Sequence, residues 1–337
     1  MTDPKTGPMR DQASRPPHTS QAPKDLPASI RGRLRNQARA RGEDMLYVLS
    51  RYALERLLYR LGRSPYVDQF VVKGAILFSL WSDHPHRPTR DLDLLGFGLE
   101  DANRIRQIFT DLCALPLPVE DPDGLLFQHD TVRVTPIRET QAYGGLRVAL
   151  WCLLGETRIR IQVDIGFGDV VTPAAAYADF PSLIGLSAPH VRVYPPATVV
   201  AEKFEALVRL GAINSRVKDF YDLWALAQER PFSGAVLAQA IRATFTRRDT
   251  PLPVSPPLAL TDAFATDPAK LQLWQAFVSR NGLEPTALTL IATIGLLRAF
   301  LMPPIQWLLT GESLNRQWSP GGPWQPPIES SDSAPIL

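Results

Sequence analysis

Residues 158–165 alternate without a break. Ile159, Ile161, Val163 and Ile165 fall on one side, and Arg158, Arg160, Gln162 and Asp164 on the other. A period of two is that of a strand with one buried face. A second apolar segment, Arg147 to Leu153, precedes it, with Gly155-Glu156 between, so the pair reads as a hairpin. The middle of the chain is therefore mostly β.

The flanks supply helices. Met45, Leu49, Tyr52, Ala53, Leu57 and Leu61 recur at helical spacing, which predicts an amphipathic helix over 44–61. Gly62 fits the position after it, and Pro65 prevents its resumption. Phe70-Val71-Val72 reads as a short strand, Lys73-Gly74 as a turn and Ala75 to Trp81 as a helix. Ser82 to Pro88 reads as a loop, Asp91 to Leu95 as a strand and Asp101 to Ala114 as a helix. From Pro196 the pattern turns helical. Thr198 to Leu210 and Lys218 to Gln228 are the clearest cases, with more to about Leu309. The apolar stretch Leu290 to Leu309 contains Arg298, Pro303, Pro304 and Gln306. It predicts a buried helix, a Pro-Pro break and a second short helix rather than a membrane span.

These readings predict an α+β chain. Residues 1–28 form a disordered segment, 29–195 a mixed sheet with flanking helices, 196–312 a helical domain and 313–337 a disordered tail. Both ends are rich in Pro and polar residues. The formal net charge of +2 over 337 residues argues against a generic polyanion binder and confines any nucleic-acid surface to a patch. Arg31, Arg33, Arg35, Arg39 and Arg41 lie on one predicted helix, as a solvated face or a phosphate-contacting one. Cys113 and Cys152 form no CxxC pair and read as reduced core thiols. His84 and His86 share one loop, and no zinc-ligand spacing is present. No signal peptide is visible, which predicts a cytoplasmic location.

The chemistry centres on Asp91-Leu92-Asp93-Leu94. On a strand the two carboxylates project together while the leucines face the core. Paired carboxylates repel, so a cation between them is expected, and Mg²⁺ takes carboxylates plus phosphate oxygens. The plain alternative is a solvent-facing strand end. Gly74 follows a strand and opens a helix, where a phosphate can approach the backbone. Asp164 ends the polar face of the hairpin strand and suits a third metal ligand, or a partner of Arg160 or Arg158. Lys203 falls mid-helix, and Lys218 and Asp219 fall at the start of the next helix.

Four ordered segments carry a resemblance: Phe70-Val71-Val72-Lys73-Gly74-Ala75-x-Leu77-Phe78; Arg87-x-Thr89-Arg90-Asp91-Leu92-Asp93-Leu94; Tyr194-Pro195 before Ala201-Glu202-Lys203-x-x-Ala206-Leu207; and Arg216-x-Lys218-Asp219-x-x-Asp222-Leu223. Together they resemble the AbiEii/AbiGii toxin family, the nucleotidyltransferase toxins of type IV toxin–antitoxin and abortive-infection systems, with the MenT toxins as relatives. The resemblance covers about residues 30 to 310 and implies a polymerase-β-like nucleotidyltransferase core with a helical C-terminal domain. It also implies two Mg²⁺ ions on Asp91, Asp93 and possibly Asp164, with an NTP as co-substrate. Lys73, Gly74, Lys203 and Lys218 would contact the nucleotide, and Asp219 would be a catalytic or metal-proximal acid. A cognate antitoxin and an RNA acceptor, the tRNA 3′ end, are the implied partners. The chain has Gly74-Ala75 where the wider superfamily has Gly-Gly or Gly-Ser, so no hydroxyl at 75 can reach a phosphate. A kinase-like phosphotransferase on the same fold, or a non-catalytic nucleotide-binding module, are the competing readings.

Overall fold

The structure is a computed structural model that describes residues 25–81, 87, 89, 91–137, 144–213, 216–283 and 288–326. Helices α1 (Leu26–Arg41) and α2 (Met45–Gly62) come first. Each begins at an aspartate that accepts an otherwise unpaired first-turn N–H: Asp25 from Ala28 and Asp44 from Tyr47, both at 3.0 Å. Strand β1 (Phe70–Lys73), a 3-10 turn (Ala75–Leu77), α3 (Phe78–Trp81), β2 (Leu92–Gly96) and α4 (Ala102–Ala114) follow. Next come β3 (Leu125–Pro136), β4 (Gly145–Leu154), β5 (Thr157–Phe167), β6 (Ala176–Asp179) and β7 (His190–Val193). The remainder is helical: α5 (Pro196–Leu210), α6 (Val217–Glu229), α7 (Gly234–Arg247), α8 (Asp262–Thr266), α9 (Pro268–Arg280) and α10 (Leu290–Thr310). Two-residue strands β8 (Phe232–Ser233), β9 (Gln317–Trp318) and β10 (Trp324–Gln325) form a small second sheet.

The main sheet has seven strands in the order β3-β4-β5-β2-β1-β7-β6. It is mixed: β2–β5 and β1–β7 are parallel, and the other pairs are antiparallel. The expected α+β class, a mixed sheet flanked by helices and followed by a helical C-terminal part, is what the chain adopts. The β4–β5 hairpin turns at Gly155, whose φ of 59° suits glycine. Ile159, Ile161, Val163 and Ile165 are all buried, as the alternation requires.

Helix α2 is buried on nearly all sides rather than along one stripe. Its Arg56 and Arg60 lie in the interior. Asp123 accepts from Arg60 at 2.5 Å, and Arg56 donates to the Ser187 carbonyl at 2.7 Å. These bonds offset the cost of burying the two cations. Gly62 is the last helical residue, not the one beyond it. A Cβ there would stand 2.6 Å from the His190 carbonyl oxygen, so the glycine admits β7.

Three further expectations are corrected. The segment after Gly74 is a 3-10 turn and a four-residue helix, not one regular helix. Helix α10 runs unbroken through Pro303 and Pro304. A proline at 304 removes the N–H that would bond to the Phe300 carbonyl. The Trp324 indole supplies that bond instead, at 3.0 Å. The stretch 313–326, expected to be disordered, is therefore part of the fold. Trp318 is buried and donates to the Ala227 carbonyl at 2.7 Å, and both tryptophans pack on Phe300. Helix α10 is the one described helix long and apolar enough to cross a membrane, and it packs against α6 and α7 as a core helix. The N-terminal helix starts at Leu26, slightly before the expected boundary. Residues 1–24 and 327–337, His84, His86 and Arg90, and most of the predicted 82–88 loop, lie outside the described residues.

Candidate active site

Strand register assembles the centre of the site. Lys73 of β1 pairs with Asp93 of β2, Asp93 with Asp164 of β5, and Asp164 with Arg147 of β4. Four charges thus form one row across four strands, in the order plus, minus, minus, plus. Asp91 lies just before β2, two residues from Asp93 and so on the same face. A cleft of about 510 Å³ opens over this row. Lys73, Gly74, Asp91, Asp93, Asp164, Lys203, Lys218 and Asp219 all line it. Every residue singled out from the sequence for the site is therefore in one place, drawn from five separate stretches of chain.

Among the described residues, the Asp91 and Asp93 carboxylates have no hydrogen bond and no ion pair. Burial pushes the Asp93 carboxyl above its ordinary range. Asp164 and Asp91 push the same way, against the pull of Lys73 and Lys218. Gly74 lies against this carboxylate. Its φ is 78°, and a Cβ would sit 2.1 Å from Asp93 Oδ2, so both conformation and space demand glycine.

Asp164 stands differently. Both its oxygens accept from Arg147, at 2.8 and 2.7 Å. Neither Arg158 nor Arg160 lines the cleft, and Arg158 stacks on Trp151 at 4.1 Å. Lys73 points to Asp169 at 2.7 Å and Glu202 at 3.2 Å. Arg248 reaches the same two carboxylates at 3.0 and 3.3 Å and also Glu205 at 2.8 Å. Burial alone would lower the Lys73 pKa, but Glu202, Tyr194 and Asp169 outweigh it and raise it, so the ammonium stays charged.

The helical wall carries a second charged group. Lys203 of α5 donates to Asp219 and to Asp222 of α6, each at 2.7 Å. Arg87 forms a two-pronged bond to Asp222 at 2.6 Å twice, and Arg216 reaches Asp219 at 2.7 Å. Burial acts to raise the Asp222 pKa, yet Lys203 and Arg87 hold it well below the ordinary carboxylate range. Asp219, expected as a catalytic or metal-proximal acid, has one oxygen on Lys203 and the other on Arg216. In this state it positions Lys203. Lys218 is exposed, and among the described residues it makes no hydrogen bond or ion pair.

Hard-cation chemistry fits this donor set in one part and not another. Asp91 and Asp93 offer carboxylate oxygens that have no partner among the described residues, beside a glycine that lets the backbone close in, as a hard divalent ion requires. Asp164 fits only after release from Arg147. Among the described residues, no three acidic, His or Cys side chains are gathered into an ion-holding set. Arg147, Asp169 and Arg248 lie outside the four sequence segments, and nothing in the local pattern marks them. Asp222 was legible: three residues beyond Asp219 on a helix, it shares its face.

The sequence of residues 56–310 matches a family model described as nucleotidyl transferase AbiEii toxin, type IV toxin–antitoxin system. No curated protein matches the chain. Two solved Helicobacter pylori structures are among those similar to it: JHP933, and a protein described as a candidate nucleotidyltransferase. Each has a TM-score of 0.44 and 14% identity over 79% of this chain, and the match covers 94% and 97% of those chains respectively.

Proposed function

The chain belongs to the AbiEii nucleotidyltransferase toxin family of type IV toxin–antitoxin systems, and from that premise we propose that it transfers a nucleoside monophosphate from an NTP to an RNA acceptor, the tRNA 3′ end, in a divalent-ion-dependent reaction. The observation that carries this reading is the convergence of Lys73, Gly74, Asp91, Asp93, Asp164, Lys203, Lys218 and Asp219 in one cleft. Membership in such a family implies an antitoxin partner.

Asp91 and Asp93 would hold Mg²⁺, joined by Asp164 once Arg147 lets go. The ion would neutralise triphosphate charge and favour the ionised form of the acceptor hydroxyl. Gly74 gives the phosphates close access to the backbone. Lys218 is an exposed cation with no ion pair among the described residues and would meet them at the rim, and Lys203, fixed by Asp219 and Asp222, presents a charge of constant position. The hydroxyl oxygen bonds to the α-phosphorus while the bond to the bridging oxygen breaks. Pyrophosphate leaves and the hydroxyl proton passes to solvent. Most of the rate enhancement is positioning and charge compensation.

The test is incubation of the purified chain with α-labelled or γ-labelled NTP, Mg²⁺ and total RNA. Transfer of the α-label to RNA with pyrophosphate release is expected, and Asp91→Ala should abolish it. Transfer of the γ-label with release of a nucleoside diphosphate would assign a kinase-like reaction instead. RNA binding that does not weaken as salt rises would count against a nucleic-acid acceptor.

A further inference from the structure

Arg147 stands where a cation is wanted and occupies the carboxylate that a third metal ligand would supply. We propose that Arg147 is a positioning residue that withholds Asp164 from the divalent-ion site, so that Asp164 joins Asp91 and Asp93 as a ligand only by exchanging Arg147 for the ion. This rests on the reading of Asp91 and Asp93 as ion ligands.

Register fixes the arrangement. Asp164 has Asp93 on one neighbouring strand and Arg147 on the other, so it must choose between a crowded anionic side and a cationic one. Alone between two strands, a carboxylate beside Asp93 would be repelled. The two-pronged bond at 2.8 and 2.7 Å settles it on Arg147. That bond also raises the Arg147 pKa, so the guanidinium remains a cation. Its hold is nevertheless breakable. The Arg147 side chain is 42% exposed against 21% for Asp164, so the arginine sits at the rim with water to move into. Water at the rim screens this ion pair despite its two-pronged geometry, whereas a divalent ion beside Asp91 and Asp93 gains a full carboxylate ligand. Arg160 and Arg158, on the same strand face as Asp164, do not line the cleft and so do not duplicate the role.

The experiment titrates Mn²⁺ into the full chain without nucleotide, by calorimetry and by paramagnetic resonance of free Mn²⁺. Arg147→Ala should lower the Mn²⁺ Kd about three- to fivefold, the scale set by freeing a carboxylate from an exposed pair. Arg147→Gln, which keeps the volume, should do the same, and Arg147→Lys should fall between. Asp164→Asn should weaken binding, and adding Arg147→Ala to it should change nothing further. If Arg147→Ala tightens binding equally in the Asp164→Asn background, Arg147 acts as diffuse charge and the inference fails. It also fails if both Arg147 variants leave the Kd unchanged or raised. Wild-type chain that binds no Mn²⁺ would overturn the ion site itself; wild-type binding with indifferent Arg147 variants would overturn only the exchange.

Discussion

Asp93 lines the cleft and Asp222 lies buried in the helical wall behind it, and the two live under opposite electrostatics. Asp93, on the sheet, has no hydrogen bond or ion pair among the described residues, and burial raises its pKa. Asp222, on helix α6, is fully buried and bonded to two cations that depress its pKa. The first is an unmet demand for positive charge, which marks chemistry. The second is a satisfied demand, which marks architecture. A carboxylate's role in or behind this cleft is therefore read from its partners rather than from its burial.

The largest expected effect breaks the satisfied side. Asp222→Ala leaves the Lys203 and Arg87 cations without a shared anion and should cost ~3–5 kcal/mol in urea unfolding. Because the Asp222 pKa is depressed on folding, its contribution is present above the ordinary carboxylate range. It is lost as pH falls through the folded value, so wild type and Asp222→Asn should converge in acid. An undiminished gap at low pH would refute the assignment.

Gly74→Ala comes next. The added Cβ meets Asp93 and is forced to a positive φ, so ~1–3 kcal/mol of destabilisation is expected, with loss of transfer activity. Thermal unfolding together with the labelling assay measures both.

Asp93→Asn has the opposite sign. A carboxyl with a raised folded pKa loses stability as pH rises from the ordinary range through that raised value. Above this window the amide should therefore be more stable than wild type, on the order of 1 kcal/mol, while being inactive. A variant less stable than wild type at neutral pH would show that Asp93 has a structural partner after all.

The smallest stability effect belongs to Lys218→Ala. An exposed side chain without an ion pair among the described residues should change stability by no more than ~0.5 kcal/mol. Affinity for Mg²⁺-NTP in calorimetry should nonetheless fall, which separates ligand binding from folding at this position.

Much of this was legible from spacing. The alternation 158–165 located β5 and its buried face, and Asp91-x-Asp93 located two carboxylates on one side of a strand end. Lys203 and Asp219 were legible as helical residues, but not as partners of each other. The α10 break was misread because the rule that proline ends a helix assumes that the freed carbonyl finds nothing. Here Trp324 answers Phe300 from beyond the helix, and that same contact orders the segment read as a tail.

Periodicity and composition by themselves determined the elements, the buried face of the hairpin and the carboxylates with catalytic potential, because these depend on neighbours along the chain. Tertiary structure alone decided which charges cancel. Arg147 takes Asp164, Arg248 and Lys73 share Asp169, and Asp91 and Asp93 are left without an ion pair among the described residues. Ion pairing in a low-dielectric cleft depends on a few ångströms of separation between strands and helices far apart in sequence, and no local pattern encodes that distance.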